Sequence, residues 1–140
     1  MKFSVFLSIM LLFTLVIYSC TNESESVAVM GVEFEWQPID YASSDNPEII
    51  LTGVPAGTER LLVSLVDLDV RMYDHGSGFV DYDGSGLIAR GIIKGTYSGP
   101  APRSSNMIHD YEITVKAYDE KDTVIGIGKN VKKFTYGKVK

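Results

Sequence analysis

His109 and Tyr111 stand two residues apart in the stretch YSGPAPRSSNMIHDYEITVKAYD, residues 97–119. Tyr111, Ile113, Val115 and Ala117 fall on one face of this run, and Glu112, Thr114, Lys116 and Tyr118 on the other. A period of two predicts a half-buried strand. His109 then emerges at the mouth of the strand, on the same face as Tyr111. The Gly-Pro-Ala-Pro turn ahead of it has a backbone fixed by its prolines and glycine. A polar ring held in that position either contacts a ligand or caps the strand by bonding a loop carbonyl, and this stretch alone leaves both open.

Other chemistries find less support. Asp67, Asp69, Asp74, Asp81 and Asp83 make an acidic region that ends in DYDGSG, residues 81–86. Oxygen-rich loops can hold calcium, but this one lacks the third ligand and the distal glutamate of an EF-hand loop, and Asp-Gly reads more simply as a hairpin turn. Zinc would have to be assembled from His75, His109 and an aspartate. The chain has one cysteine, so no paired-cysteine metal site and no intrachain disulfide can form. There is no G-x-S-x-G nucleophile elbow. Ser104 and Ser105 read as turn residues, and a histidine with an aspartate but no placed nucleophile is not a triad. The expectation is a protein that is not an enzyme and uses no metal or cofactor.

These residues must be positioned by strands. VAVMGVEFEW, residues 27–36, reads as an opening strand with Gly31 as a bulge. EIILTGVPAGTERLLVSLVDLD, residues 48–69, holds a short strand, a Pro-Ala-Gly turn and a longer strand in which Leu61, Val63 and Leu65 share a face. From Val70 to Gly86 glycines and aspartates accumulate, which predicts a long loop or hairpin region. LIARGIIKG reads as a short strand, and TVIGIG and VKKF follow a DEKD turn. No window of a dozen residues carries a helical stripe. The prediction is all-β, a sandwich or a small barrel, with few or no helices after the N-terminal segment.

The first residues, MKFSVFLSIMLLFTLVIYSC, have an early lysine, an apolar run and a small residue before Cys20. That is the shape of a secretory signal, and Ile17-Tyr18-Ser19-Cys20 resembles the lipobox of bacterial lipoproteins, in which the cysteine is lipidated and becomes the mature N-terminus. The alternative is an uncleaved anchor, since the run is near the lower limit of about 17 residues for a membrane span. The expected organisation is a signal peptide over residues 1–19, a flexible tether over 20–26 and one domain over 27–140. The expected location is the bacterial cell envelope, with the protein membrane-anchored and facing the periplasm or the exterior. Thirteen lysines and arginines against 18 aspartates and glutamates give a formal charge of −5. Nucleic acid is therefore not an expected partner.

Two segments carry a family likeness. GVPAGTERLLVSLVDLDV, residues 53–70, resembles the GVP-x-GT-x-x-L…DPD segment of the phosphatidylethanolamine-binding protein family, which includes the bacterial Raf-kinase-inhibitor-like proteins. Residues 97–119 resemble that family's Y-x-GP-x-PP…HRY-x-F-x-V-x-ALD. The likeness covers roughly Asn46 to Asp119. It implies a β-sandwich with a small pocket at one end that binds anions, typically phosphate groups. Carried over residue by residue, it points to Asp67 and Asp69, Gly99 and Pro100, His109 and Tyr111, with His75 standing for the family's middle histidine. The sequence departs from the pattern at Leu68, Arg71 and Arg103, where the family has prolines, at Gly76, where it has tryptophan, and at Asp110, where it has arginine.

The chemistry of the implied residues is consistent with such a site. Histidine and tyrosine donate hydrogen bonds, and glycine lets a phosphate approach the backbone. The two aspartates cannot bind an anion, so their expected role is to accept a ring N–H and fix which histidine nitrogen points inward. A small anionic ligand or phospholipid head group is the expected partner. An interaction or inhibitor module with a vestigial pocket, binding another envelope protein, is the alternative.

Overall fold

The structure is a computed structural model that describes residues 26–135. The expected signal segment, Cys20 and most of the tether lie outside the described residues. Eight strands follow one another: β1 Ala28–Phe34, β2 Ile49–Thr52, β3 Arg60–Asp67, β4 Asp74–Asp81, β5 Leu87–Ile88, β6 Lys94–Gly95, β7 His109–Tyr118 and β8 Val124–Phe134. A single 3₁₀ turn, Pro38–Asp40, interrupts them, and no α-helix occurs among the described residues. The fold is all-β, as the patterning predicts.

The strands form a mixed sheet in the order β5-β2-β1-β8-β7-β3-β4-β6. β1 is shared between two parts of it. Its first half, Ala28 to Met30, runs parallel to β8, and its second half, Gly31 to Phe34, runs antiparallel to β2. A strand that changes partners midway turns the sheet back over itself. Apolar side chains from both parts, Phe34, Trp36, Ile49 and Ile88 on one side and Val63, Ile113, Val115 and Phe134 on the other, join one buried core. Trp36 lies edge-on to Tyr111 and Phe134, with centroids 6.2 and 6.0 Å apart.

β3 and β7 bear out their alternation residue by residue. Leu61, Val63, Leu65 and Asp67 are buried in β3, as are His109, Tyr111, Ile113, Val115 and Ala117 in β7. Each fully buried aliphatic side chain stabilises the fold by roughly 1.5–3 kcal/mol. The antiparallel register sets Leu65 opposite Ile113 and Asp67 opposite Tyr111.

Two local expectations are corrected and a third is narrowed. Gly31 makes no bulge: the registers on both of its sides are unbroken. It instead allows close approach, since a Cβ there would strike the Thr52 hydroxyl. Of the two readings of residues 70–86, long loop or hairpin region, the hairpin holds: the eight-residue β4 turns back antiparallel on β3. Its glycines hide the strand pattern for a packing reason. A Cβ at Gly76, whose φ is +71°, would strike the Thr96 carbonyl, and one at Gly78 would strike Ile93 and Lys94. LIARGIIKG contributes only the two-residue strands β5 and β6, joined by a loop that buried Asn46 ties down through Ala89 O (2.9 Å) and Ile93 N–H (3.0 Å).

Candidate functional site

The site lies where β3 ends and β7 begins. β3 delivers Asp67 and β7 delivers His109, one diagonal step apart across the register. The ring Nδ1 of His109 donates to Asp67 Oδ2 at 2.7 Å. The other oxygen, Asp67 Oδ1, accepts the backbone N–H groups of Asp69 and Val70, each at 2.9 Å. Burial opposes ionisation of Asp67, but His109 and the two N–H donors outweigh it and hold the carboxyl below its ordinary pKa. An ionised Asp67 can only accept, so the proton between the pair sits on Nδ1.

His75 enters from β4 and is oriented by backbone alone. Its Nδ1 lies 3.0 Å from both Ser98 O and Gly99 O. Carbonyls only accept, so this nitrogen too carries a hydrogen. The same residue's carbonyl accepts Ser98 N–H at 2.8 Å, so ring and main chain together clasp the 98–99 segment. Tyr73 and Tyr111 stand edge-on to the ring, with centroids at 4.7 and 5.4 Å.

The two histidines and Asp67 line one cavity of about 390 Å³. Val70, Tyr73, Ala101, Arg103 and Met107 complete its wall. His75 is only 1% exposed and His109 8%, so both rings are held by their surroundings. Neither Nε2 has a hydrogen-bond partner among the described residues. Arg103 forms no ion pair among them.

The remaining residues singled out from the sequence take supporting places. Tyr111 is fully buried beneath the rings and stacks on His109 at 6.1 Å. Its hydroxyl accepts Ala101 N–H at 3.2 Å, and burial, followed by the Asp67 charge, raises its pKa well above the ordinary value. Gly99 and Pro100 lie behind His75 and do not reach the cavity. A Cβ on Gly99 would strike the Asp40 carbonyl, its N–H donates to Ser43 O at 2.7 Å, and Pro100 O accepts Ala42 N–H at 2.9 Å. Together they fix the carbonyls that orient His75. Asp69 is exposed, outside the cavity and beyond the end of β3, and does not share a strand face with Asp67. Its carboxylate accepts Asp110 N–H at 2.7 Å.

Asp67, Asp69 and His109 each bring one potential ligating atom to within 4.8 Å of the others. Both oxygens of Asp67, one oxygen of Asp69 and Nδ1 of His109 are engaged in the hydrogen bonds just described. Asp83, in the acidic turn, accepts Ser85 N–H at 2.9 Å, which is an Asx turn. Ser104 O accepts Met107 N–H and Ser105 O accepts the Thr135 hydroxyl, so both serines shape the loop. Sequence reasoning did not place Val70, Tyr73 and Ala101 in the wall. Arg103 carried only a weak signal, by standing where a proline was expected. Arg71 is exposed and is not part of the wall.

No protein-family model matches the sequence, and no curated protein matches it. Solved structures do. YbcL of E. coli, described as a new member of the mammalian PEBP family, superposes with a TM-score of 0.59 at 12% identity, over 76% of this chain and 98% of that one. CT736 of Chlamydia trachomatis, a putative phosphatidylethanolamine-binding protein homologue, does so with a TM-score of 0.55 at 16% identity, over 78% and 98%. The chain therefore has the fold of the phosphatidylethanolamine-binding proteins.

Proposed function

We propose that this protein is a non-enzymatic, lipid-anchored component of the bacterial cell envelope that binds a small anionic group, a phosphate or a phosphate-bearing head group, in the cavity at the β3–β7 end. The observation that carries this reading is the pair of buried histidines. Each has its Nδ1 fixed on a protein acceptor and its Nε2 unclaimed, beside the unpaired Arg103. Protonated imidazole and guanidinium are the groups that recognise phosphate oxygens. Titrating inorganic phosphate and phosphoethanolamine while following both histidines by NMR tests it. Saturable shifts of His75 and His109 together are expected, and shifts confined to exposed lysines would refute it.

The anchoring half of the proposal rests on Cys20. β1 begins opposite Gly126 on β8, whereas His109 pairs with Phe134 at the other end of that strand. β1 thus starts at the pole away from the cavity. Cys20→Ala should yield an uncleaved or mislocalised precursor. A mature protein that starts beyond residue 20 and partitions into the aqueous phase would refute the anchor.

A second reading, an interaction or inhibitor module, draws on the rim. Met72 is 99% exposed and Ile108 60%, with Val70, Tyr73 and Met107 beside them. Apolar side chains clustered at a cavity mouth suit a protein partner. The phosphate titration separates the two readings.

A further inference from the structure

We infer that this cavity takes up its anion together with protons, and that it therefore selects a phosphate that still carries a hydrogen over an equally shaped anion that does not. The inference rests on the anion-binding reading above and adds the protonation state and ligand class.

The argument starts from the two Nδ1 atoms. Ser98 O, Gly99 O and the Asp67 carboxylate are all acceptors, so each Nδ1 must carry the hydrogen. A neutral imidazole has only one N–H. Both neutral rings consequently present a lone pair at Nε2, and a lone pair repels an anion's oxygen. Each Nε2···O contact needs one proton, drawn either from solution onto the ring or from the ligand. The hydroxyl of Tyr111 offers no substitute, since Tyr111 is buried under the rings and outside the cavity wall.

The groups facing the rings are few. Asp67 on β3 supplies the counter-charge for a protonated His109. Asp69, in the β3–β4 loop, is turned to Asp110 N–H, and Asp110 lies on the opposite face of β7, paired with Lys133 at 2.9 Å. Asp74, next to His75, is turned to Gly76 N–H at 2.7 Å. His75 is met only by carbonyls and the Tyr73 and Tyr111 rings. Arg103, from the loop before β7, is the one fixed cation in the wall. Arg103 and the Tyr73 hydroxyl can donate from the wall, but neither supplies a hydrogen to a ring nitrogen, so contacts at Nε2 still need the missing ring protons.

Inorganic phosphate and sulfate are the discriminating probes. Both are tetrahedral anions, but phosphate keeps a hydrogen at pH 8 and sulfate has none. For an anion touching both rings, linkage ties sulfate binding to the uptake of two protons and phosphate binding to one, so the affinity for sulfate falls more steeply as pH rises. We expect phosphate to bind at least about tenfold tighter than sulfate at pH 8, and the advantage to shrink to within about threefold at pH 5.5, where either anion can draw protons from solution.

The experiment is calorimetry of the full chain with each anion at both pH values, in two buffers of different ionisation heat, alongside nitrogen-15 correlation spectra of the histidines without ligand. Net proton uptake and the Nδ1–H tautomer at both rings are expected. An Nε2–H tautomer at either ring overturns the inference whatever binds. Binding of both anions with equal, pH-independent affinity overturns it too, while leaving the anion site standing. Failure of both anions to bind from pH 5.5 to 8, with both tautomers as expected, removes the anion reading and this inference with it.

Discussion

The carboxylate of Asp67 lies 2.7 Å from Nδ1 of His109, and its own backbone partner across the sheet is not His109 but Tyr111. The contact is diagonal, so it depends on the β3–β7 register and on the strand mouth staying closed.

That pair makes acid stability a direct readout. The Asp67 pKa is lower folded than its ordinary value of 3.8. As pH falls through that value the unfolded chain takes up the proton first, so the stability the pair contributes is present above about pH 4 and lost below it. Asp67→Asn should lower stability at pH 7 by about 1.5–3 kcal/mol, the scale of a hydrogen bond to a charged group. It should also flatten the loss of stability between about pH 4 and 2. Urea midpoints across that range check both. An unchanged acid slope would mean that Asp67 is not ionised in the fold.

Two glycines with similar backbone but different surroundings separate strain from close approach. Gly76 has φ +71° and its missing Cβ faces the Thr96 carbonyl, whereas Gly57 has φ +83° and nothing within 4 Å. Alanine at Gly57 should cost only the left-handed strain, about 1–2 kcal/mol. Alanine at Gly76 should cost that plus displacement of the 94–96 segment, and so exceed it by at least about 1 kcal/mol. Equal losses in melting temperature would place Thr96 farther away than the structure has it.

These glycines also show what could be read in advance. β3 and β7 were legible because each buries one face and exposes the other, so the period of two survives in Leu61, Val63, Leu65 and again in Tyr111, Ile113, Val115. β4 was not, because Gly76 and Gly78 serve the segment crossing them and carry no side chains to alternate. His109 and Asp67 were legible as a histidine oriented by an aspartate, since both sit at the ends of patterned strands. The supporting role of Gly99 and Pro100 was hidden because it depends on the loop around Asp40 and Ser43, nearly 60 residues earlier in the chain. Arg103 and Tyr73 reach the cavity from loops, where no periodicity constrains side-chain direction.

At high pH the test is optical. Burial, then the Asp40 charge, raises the Tyr97 pKa, and Arg90 only partly offsets this. Burial, then Asp67, does the same for Tyr111. A raised folded pKa means stability that is present below the ordinary value of about 10 and lost as pH climbs past it, because the unfolded chain gives up the proton first. Ultraviolet titration should therefore show two of the chain's eight tyrosines ionising late, in step with unfolding. A single smooth transition of all eight with the fold intact would show that neither ring is sealed.

The departure at Asp110 offers the sharpest check on strand direction. An acid about 6 Å from a bound phosphate would cost about 1–3 kcal/mol at effective dielectric constants of roughly 80 to 20, so arginine at this position would be expected to rescue binding if Asp110 faced the ligand. In the structure it faces the other way: its carboxylate oxygens lie 2.9 and 3.0 Å from Lys133 Nζ on β8, opposite in register, while His109 and Tyr111 on either side point inward. The charge is half-exposed and already paired, so solvent and salt screen it further. His109→Ala should weaken phosphate binding by at least about 1.5 kcal/mol, the loss of a charge-assisted hydrogen bond. Asp110→Arg should change it by less than about 0.5 kcal/mol at physiological salt, and should lower stability by no more than about 1 kcal/mol, because the exposed pair it breaks contributes little. Binding titrations and melting curves on the two variants give both numbers. A large gain from Asp110→Arg with no loss from His109→Ala would reverse the faces of β7, and the cavity assignment would fall with them.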